Sequence, residues 1–313
     1  MAVVAGTDKP TATQYNSVQS TINTVLSTRY GQTPASSQLT LPGTSTKITS
    51  AAWGNLRSDI LKANRHQLNP ATVGTLTDPT TSTKIAAADY NAYETMANNC
   101  LTNSLLFPDN STLSSTFESP YTWTPANGTW GATGQNTFKI DIRAIFNAGG
   151  NADYYFNSGG QIRFSSAFTG GTVATTGTKD FSWKSAANEM GTIIFGANST
   201  RTLAGATGAG TGSAIGWFQL TGTDQLIYTK NTSSYTPNTI KMYARYSALT
   251  IYFTLEYEDL SAPGGFGIDE NVSATVTTTV IGYHGSGVGE VDVTVYRPAT
   301  ISMTGSILAS PNP

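Results

Sequence analysis

The chain has 313 residues, a formal net charge of −2 and only 12% charged residues. That length allows two or three domains, each with its own core, while the near-neutral balance offers no basic face for phosphate neutralisation and so excludes a nucleic-acid partner. Few charges leave the solvent-facing positions to Thr, Ser, Asn and Gly, and 10% aromatic residues argue against simple disorder.

The first third carries a repeated unit. Thr-Ser-Thr-Lys-Ile at residues 44–48 returns at residues 81–85, and each copy is followed by a helix-like segment. Tyr15, Val18, Ile22 and Val25 stand at i, i+3, i+7 and i+10 in the first such segment. Trp53, Leu56, Ile60 and Ala63 match them in the second, and Tyr90, Tyr93, Ala97 and Cys100 in the third. This spacing puts each set on one helical face. A period of this kind marks stacked units that bury their apolar faces against one another. Thr13, Ser50 and Asp89 are the expected N-cap residues, and Pro10, Pro34, Pro42, Pro70 and Pro79 fall between the helices. Residues 1–110 are therefore expected to form a three-repeat helical attachment domain. Tyr15, Trp53, Leu56, Tyr90 and Tyr93 are its expected packing residues.

From residue 117 the period switches to two. Phe138, Ile140, Ile142, Ala144 and Phe146 alternate with Lys139, Asp141 and Arg143, the pattern of a half-buried antiparallel strand. Ile162, Phe164 and Phe168 continue it. One helix is expected over residues 180–190, with Phe181, Ala187 and Met190 inward. Ile240, Met242, Ala244 and Tyr246 form the next strand, then Ile251, Phe253, Leu255 and Tyr257. Val272, Ala274, Val276 and Val280 follow, and Val291, Val293 and Val295 close the series. The Gly-rich run 205–212 is expected to be a flexible surface loop, followed by a strand-like stretch at residues 215–220. Residues 111–313 thus predict an antiparallel β-sandwich or jelly-roll-like domain, and the whole chain a mainly β protein with an N-terminal α part.

Chemistry-bearing residues are sparse. His66 and His284 are the two histidines, too few for a His-based triad; His284 sits in a Gly-rich segment read as a hairpin loop. Cys100, the single cysteine, excludes an intrachain disulfide and any multi-cysteine metal site. It falls on the apolar stripe of the third helix, where a buried thiol is expected. Glu256, Glu258, Asp259 and Asp269 are the one carboxylate cluster, read mainly as a solvated strand end. A hard-cation site is its second reading and a glycosidase pair its third. Trp123, Trp130, Tyr154, Tyr155, Trp217 and His284 are candidate glycan or subunit contacts, because such rings pair an apolar face with a polar tip. No catalytic residue and no cofactor is expected. No run approaches 18 apolar residues, so no membrane-spanning helix is expected. The first residues lack a secretory signal pattern, which points to synthesis in the cytoplasm.

The repeat residues resemble a known family. Residues 15–23 (Tyr-Asn-Ser-Val-Gln-Ser-Thr-Ile-Asn), Tyr30-Gly31-Gln32, residues 53–60 (Trp-Gly-Asn-Leu-Arg-Ser-Asp-Ile) and Arg65-His66-Gln67 are similar to the N-terminal part of virion structural proteins of tailed phages, especially cyanophages. Residues 153–163 resemble a segment of the β region of the same proteins, and Gly54 stands where those proteins carry Asn. The resemblance implies a tail fibre or baseplate-associated subunit of the virion, assembled in the host cytoplasm. Its implied partners are other tail proteins, copies of itself in an oligomer for which a trimer is favoured, and a host surface glycan. Two alternatives are a capsid or neck decoration protein and a fibre-borne polysaccharide depolymerase.

Overall fold

The computed structural model describes residues 9–40, 47–68, 73–80, 85–105, 113–131, 137–203, 208–232, 234–235, 238–261, 270–285 and 291–308. The chain divides into two compact units. One comprises Met1–Ser114, Asp153–Gly159 and His284–Val295; the other comprises Ser115–Ala152, Gly160–Tyr283 and Tyr296–Pro313. Helix and strand have about equal shares of the structure, so the chain is not mainly β as its second half alone suggested.

The first unit is helical. Helices α1 (Ala12–Asn23), α2 (Ser50–Gln67) and α3 (Ala87–Thr102) each bury the face their spacing marks out. Tyr15, Val18, Ile22 and Val25, Trp53, Leu56, Ile60 and Ala63, and Tyr90, Tyr93, Ala97 and Cys100 are all buried. The indole of Trp53 meets Tyr15 and Tyr93 edge-on, both at 5.2 Å between centroids, a geometry that sets ring edges against π faces. The capping residues are not Thr13 and Ser50. Thr11 caps α1 in a reciprocal box with Gln14 and Thr49 caps α2, because their hydroxyls lie one turn ahead of the first orphan amides. At α3 the Asp89 carboxylate reaches back to the Ala86 N–H, 2.8 Å. Residues 44–46 and 81–84 of the repeated pentapeptide lie outside the described residues.

The second unit holds two antiparallel sheets. Strands β1 (Leu113–Trp123), β2 (Thr137–Ile145), β3 (Gln161–Thr169), β4 (Ile193–Phe195), β5 (Thr200–Thr202), β6 (Thr211–Gly212), β7 (Gln225–Asn231), β8 (Thr239–Ser247), β9 (Thr250–Glu258), β10 (Thr275–Gly285) and β11 (Thr300–Leu308) form the orders β1-β10-β3-β4-β5 and β11-β2-β9-β8-β7-β6. Ring contacts join the two inner faces. Phe253 of β9 meets Phe164 of β3 at 4.8 Å and Phe195 of β4 at 5.0 Å. Helix α5 (Lys179–Met190) closes one end, where Trp183 lies against Trp130, Phe168 and Tyr257. The inward residue of α5 is Trp183 rather than Phe181, which is only half-buried. A further short helix, α4 (Asn151–Asn157), precedes β3.

Two segments differ from their sequence pattern. Residues 215–220 contain a single 3₁₀ turn, Trp217–Gln219, rather than a strand. Val291 and Val293 are buried without joining a sheet, Val295 is exposed, and the closing strand is β11. Residues 205–207 of the Gly-rich run lie outside the described residues, but its end forms β6. There Thr200 and Ser213 exchange backbone hydrogen bonds of 3.0 and 2.9 Å, joining the last strand of one sheet to the last of the other. A Cβ at Gly212 would strike the Thr200 carbonyl, so this seam requires glycine.

Candidate interaction face

Strict alternation along β2, β9 and β8 drives Phe138, Ile140, Ile142, Ala144, Ile240, Met242, Ala244, Ile251, Phe253, Leu255 and Tyr257 inward. The same alternation lines the intervening residues up on the outer face of the six-stranded sheet. Register turns them into rows. Lys139, Glu256 and Lys241 form one row; Asp141, Thr254 and Tyr243 the next; Arg143, Tyr252 and Arg245 the third. Strand β11 extends these rows with Ser306, Thr304 and Ser302 respectively.

Contacts run both within and between the rows. Arg245 and Arg143 both lie over the row's central ring, their guanidinium carbons 4.0 and 5.7 Å from the Tyr252 centroid, and Arg245 also reaches Asp224 at 3.2 Å. Lys139 contacts Asp141 at 3.1 Å, and Asp141 accepts from the Thr254 hydroxyl at 3.0 Å. Lys241 contacts Glu258 at 2.7 Å, and that bond raises the lysine's pKa above its ordinary value. Burial, then the neighbouring Glu258 charge, raises the Glu256 pKa against the opposing pull of Lys139 and Lys241. Ring stacking and ion pairing thus link these long side chains across the face. Arginine and tyrosine are also the residues enriched where protein surfaces meet.

The carboxylate cluster separates. Glu256 and Glu258 stay together on the outer face, each beside a lysine. Asp259 turns inward, where it takes Lys179 Nζ at 2.5 Å with both side chains 1% exposed. Asp269 lies outside the described residues, and among the described residues no group of three or more His, Cys, Asp or Glu side chains is placed to hold a metal ion. Lys179 also donates to the Gly131 carbonyl, 2.6 Å. Its neighbour Asp180 accepts from Thr172, Ser273 and Ala274. Burial pushes the Asp180 pKa up, and these hydrogen bonds outweigh it to leave the carboxyl below its usual range. Sequence reasoning missed this inward cluster, because adjacent Lys-Asp at a helix start reads as a solvated first turn.

The aromatic candidates divide by burial. Trp130, Tyr155, Trp217 and His284 are buried, packed within the fold rather than presented to a ligand, while Trp123 and Tyr154 are half-buried. His284 belongs to β10, not to a hairpin loop. His66 is buried in the helical unit with its ring Nε2 2.7 Å from the Ser158 carbonyl. Burial first, then repulsion from His284 and Lys62, pushes its pKa down to about 4 against the pull of that hydrogen bond. Burial pushes the Cys100 thiol up to about 12, which makes it a packing group and a poor nucleophile.

No protein-family profile, no curated protein and no solved structure matches the chain. Among the described residues no helix is long and apolar enough to cross a membrane.

Proposed function

We propose that the chain is a structural subunit of a tailed-phage particle, a tail fibre or fibre-attachment component whose second sheet meets neighbouring subunits. The observation that carries this reading is the outer face of that sheet, where Arg143, Tyr252 and Arg245 stack in one row beside rows of fixed opposite charges. Arginine and tyrosine side chains that already contact one another have less freedom to lose on docking. The sequence resemblance to virion structural proteins supplies the kind of particle. Host-glycan recognition and contacts with other tail proteins belong to the same proposal.

The finer architecture supports it. The three helices, buried at equivalent positions, fit three copies of one attachment unit. In the sheets, β1 neighbours β10 and β2 neighbours β9, the outer two wraps of a jelly roll. The inner strands depart from that plan, since β3 pairs β4 and β8 pairs β7. Jelly rolls present sheet faces and strand edges to their neighbours, which suits stacking into an appendage.

The test is incorporation. Virus carrying Arg143→Glu with Arg245→Glu should yield particles depleted of the chain by about tenfold, while the purified variant unfolds at the parental urea midpoint. Incorporation at the parental level would sink the assignment of this face.

A further inference from the structure

The edges of the two sheets are guarded unequally. An edge strand offers a row of unpaired amides and carbonyls, and proteins blunt it with charge, proline, shortness or closure. At one side of the second unit β5 and β6 are joined through Thr200 and Ser213. Edge strand β1 carries exposed Glu118 and Pro120. Strand β11, at the edge of the other sheet, is nine residues long and reads Thr-Ile-Ser-Met-Thr-Gly-Ser-Ile-Leu, with no charge and no proline. Among the described residues the hydrogen bond on its open side is the one from the Gly305 N–H to the Tyr121 hydroxyl, 2.7 Å.

Two observations name the occupant. The strand is a near-palindrome about Thr304: Ser302 mirrors Ser306, Ile301 mirrors Ile307, and bulky Met303 mirrors Gly305. Second, the Gly305 N–H points away from β2, so the odd-numbered residues present their backbone groups to the open side. Antiparallel self-pairing centred on Thr304 sets odd residues against odd ones. Ile301 then faces Ile307 of the second copy and Met303 faces its Gly305, each as a hydrogen-bonded pair, and Thr304 meets its own counterpart in a close pair without backbone bonds. Face and parity agree: Ser302, Thr304 and Ser306 are exposed on the outer face, and Ile301, Met303 and Ile307 are half-buried on the inner one.

The geometry points to β11 as a two-fold docking edge for a second copy of this chain, which joins two six-stranded sheets into one. A two-fold contact is isologous, and a self-complementary strand is what such a contact demands. The Gly305 N–H leaves the Tyr121 hydroxyl for the carbonyl of Met303 in the second copy. The inference does not rest on the chain's being a phage protein.

The experiment uses the full chain. Light scattering should give twice the 32.9 kDa chain mass. Thr304→Lys and Thr304→Glu each set like charges directly opposite only in this register, and each should weaken dimerisation by about tenfold. Mixing the two variants should restore the dimer as a heterodimer. In a separate variant, Thr304→Cys should give a covalent dimer on oxidation, since close antiparallel pairs fall within disulfide reach, whereas Ser302→Cys alone should not. A parent that stays monomeric, a trimer, a dimer indifferent to both charged variants, or no rescue on mixing would each overturn the proposal.

Discussion

At the residue scale the strongest single commitment is the ion pair between Lys179 and Asp259. Two charges leave water there, and their attraction returns that cost only because Gly131 and Ser261 satisfy the remaining groups. The pair fastens the first turn of α5 to the end of β9. Lys179→Met removes one partner and strands the other, so the free energy of unfolding should fall by about 3–5 kcal/mol in urea titrations followed by tryptophan fluorescence. A loss below about 1 kcal/mol would mean that the pair is not buried in the folded chain. Asp59 acts in the same manner in the helical unit, where its carboxylate accepts from the amides of Ala35 and Ser36 and from the Ser36 hydroxyl. Neither role can be read from a charged residue's place in a sequence. Each depends on partners distant in sequence, Asp259 and the Gly131 carbonyl for Lys179 and the amides of Ala35 and Ser36 for Asp59.

At the element scale, legibility followed the contrast between neighbouring residues. The stripes of α1 to α3 and the alternation of β2, β8 and β9 were plain because large apolar side chains stand against charged or small polar ones. Strand β11 was not, since Thr, Ser and Gly alternate with Ile and Met and neither of its faces is fully buried. The valines at 291, 293 and 295 mimicked a strand, yet two of them pack into the helical unit from an irregular segment. The helix caps slipped by one to three residues because several Ser and Thr candidates precede each start. The outer face was legible in part. Its residues were visible as the polar half of the alternation, but the rows needed the register. Of the side chains offered as glycan or subunit contacts, Trp130, Tyr155, Trp217 and His284 are buried, since aromatic content cannot tell an inward ring from an outward one.

At the scale of the whole molecule the helical unit carries a buried, acid-sensitive group, His66. His66 takes up its proton near pH 6.5 when unfolded and only near 4 when folded, because burial disfavours the charged ring. The depressed folded value means that its contribution is complete above pH 6.5 and is lost as the pH falls to about 4, a change of about 3 kcal/mol. The helical unit should therefore show a falling urea midpoint between pH 7 and pH 4.5, and His66→Gln should flatten that slope. An equally steep profile in the variant would assign the loss to other groups.

The proposed function stands on the chain's being part of a phage tail. Gold labelling of intact particles with an antibody against residues 117–313, viewed by electron microscopy, tests that most directly. Label along or at the tips of tail appendages is the predicted result; label over the head, or particles without label, would contradict it.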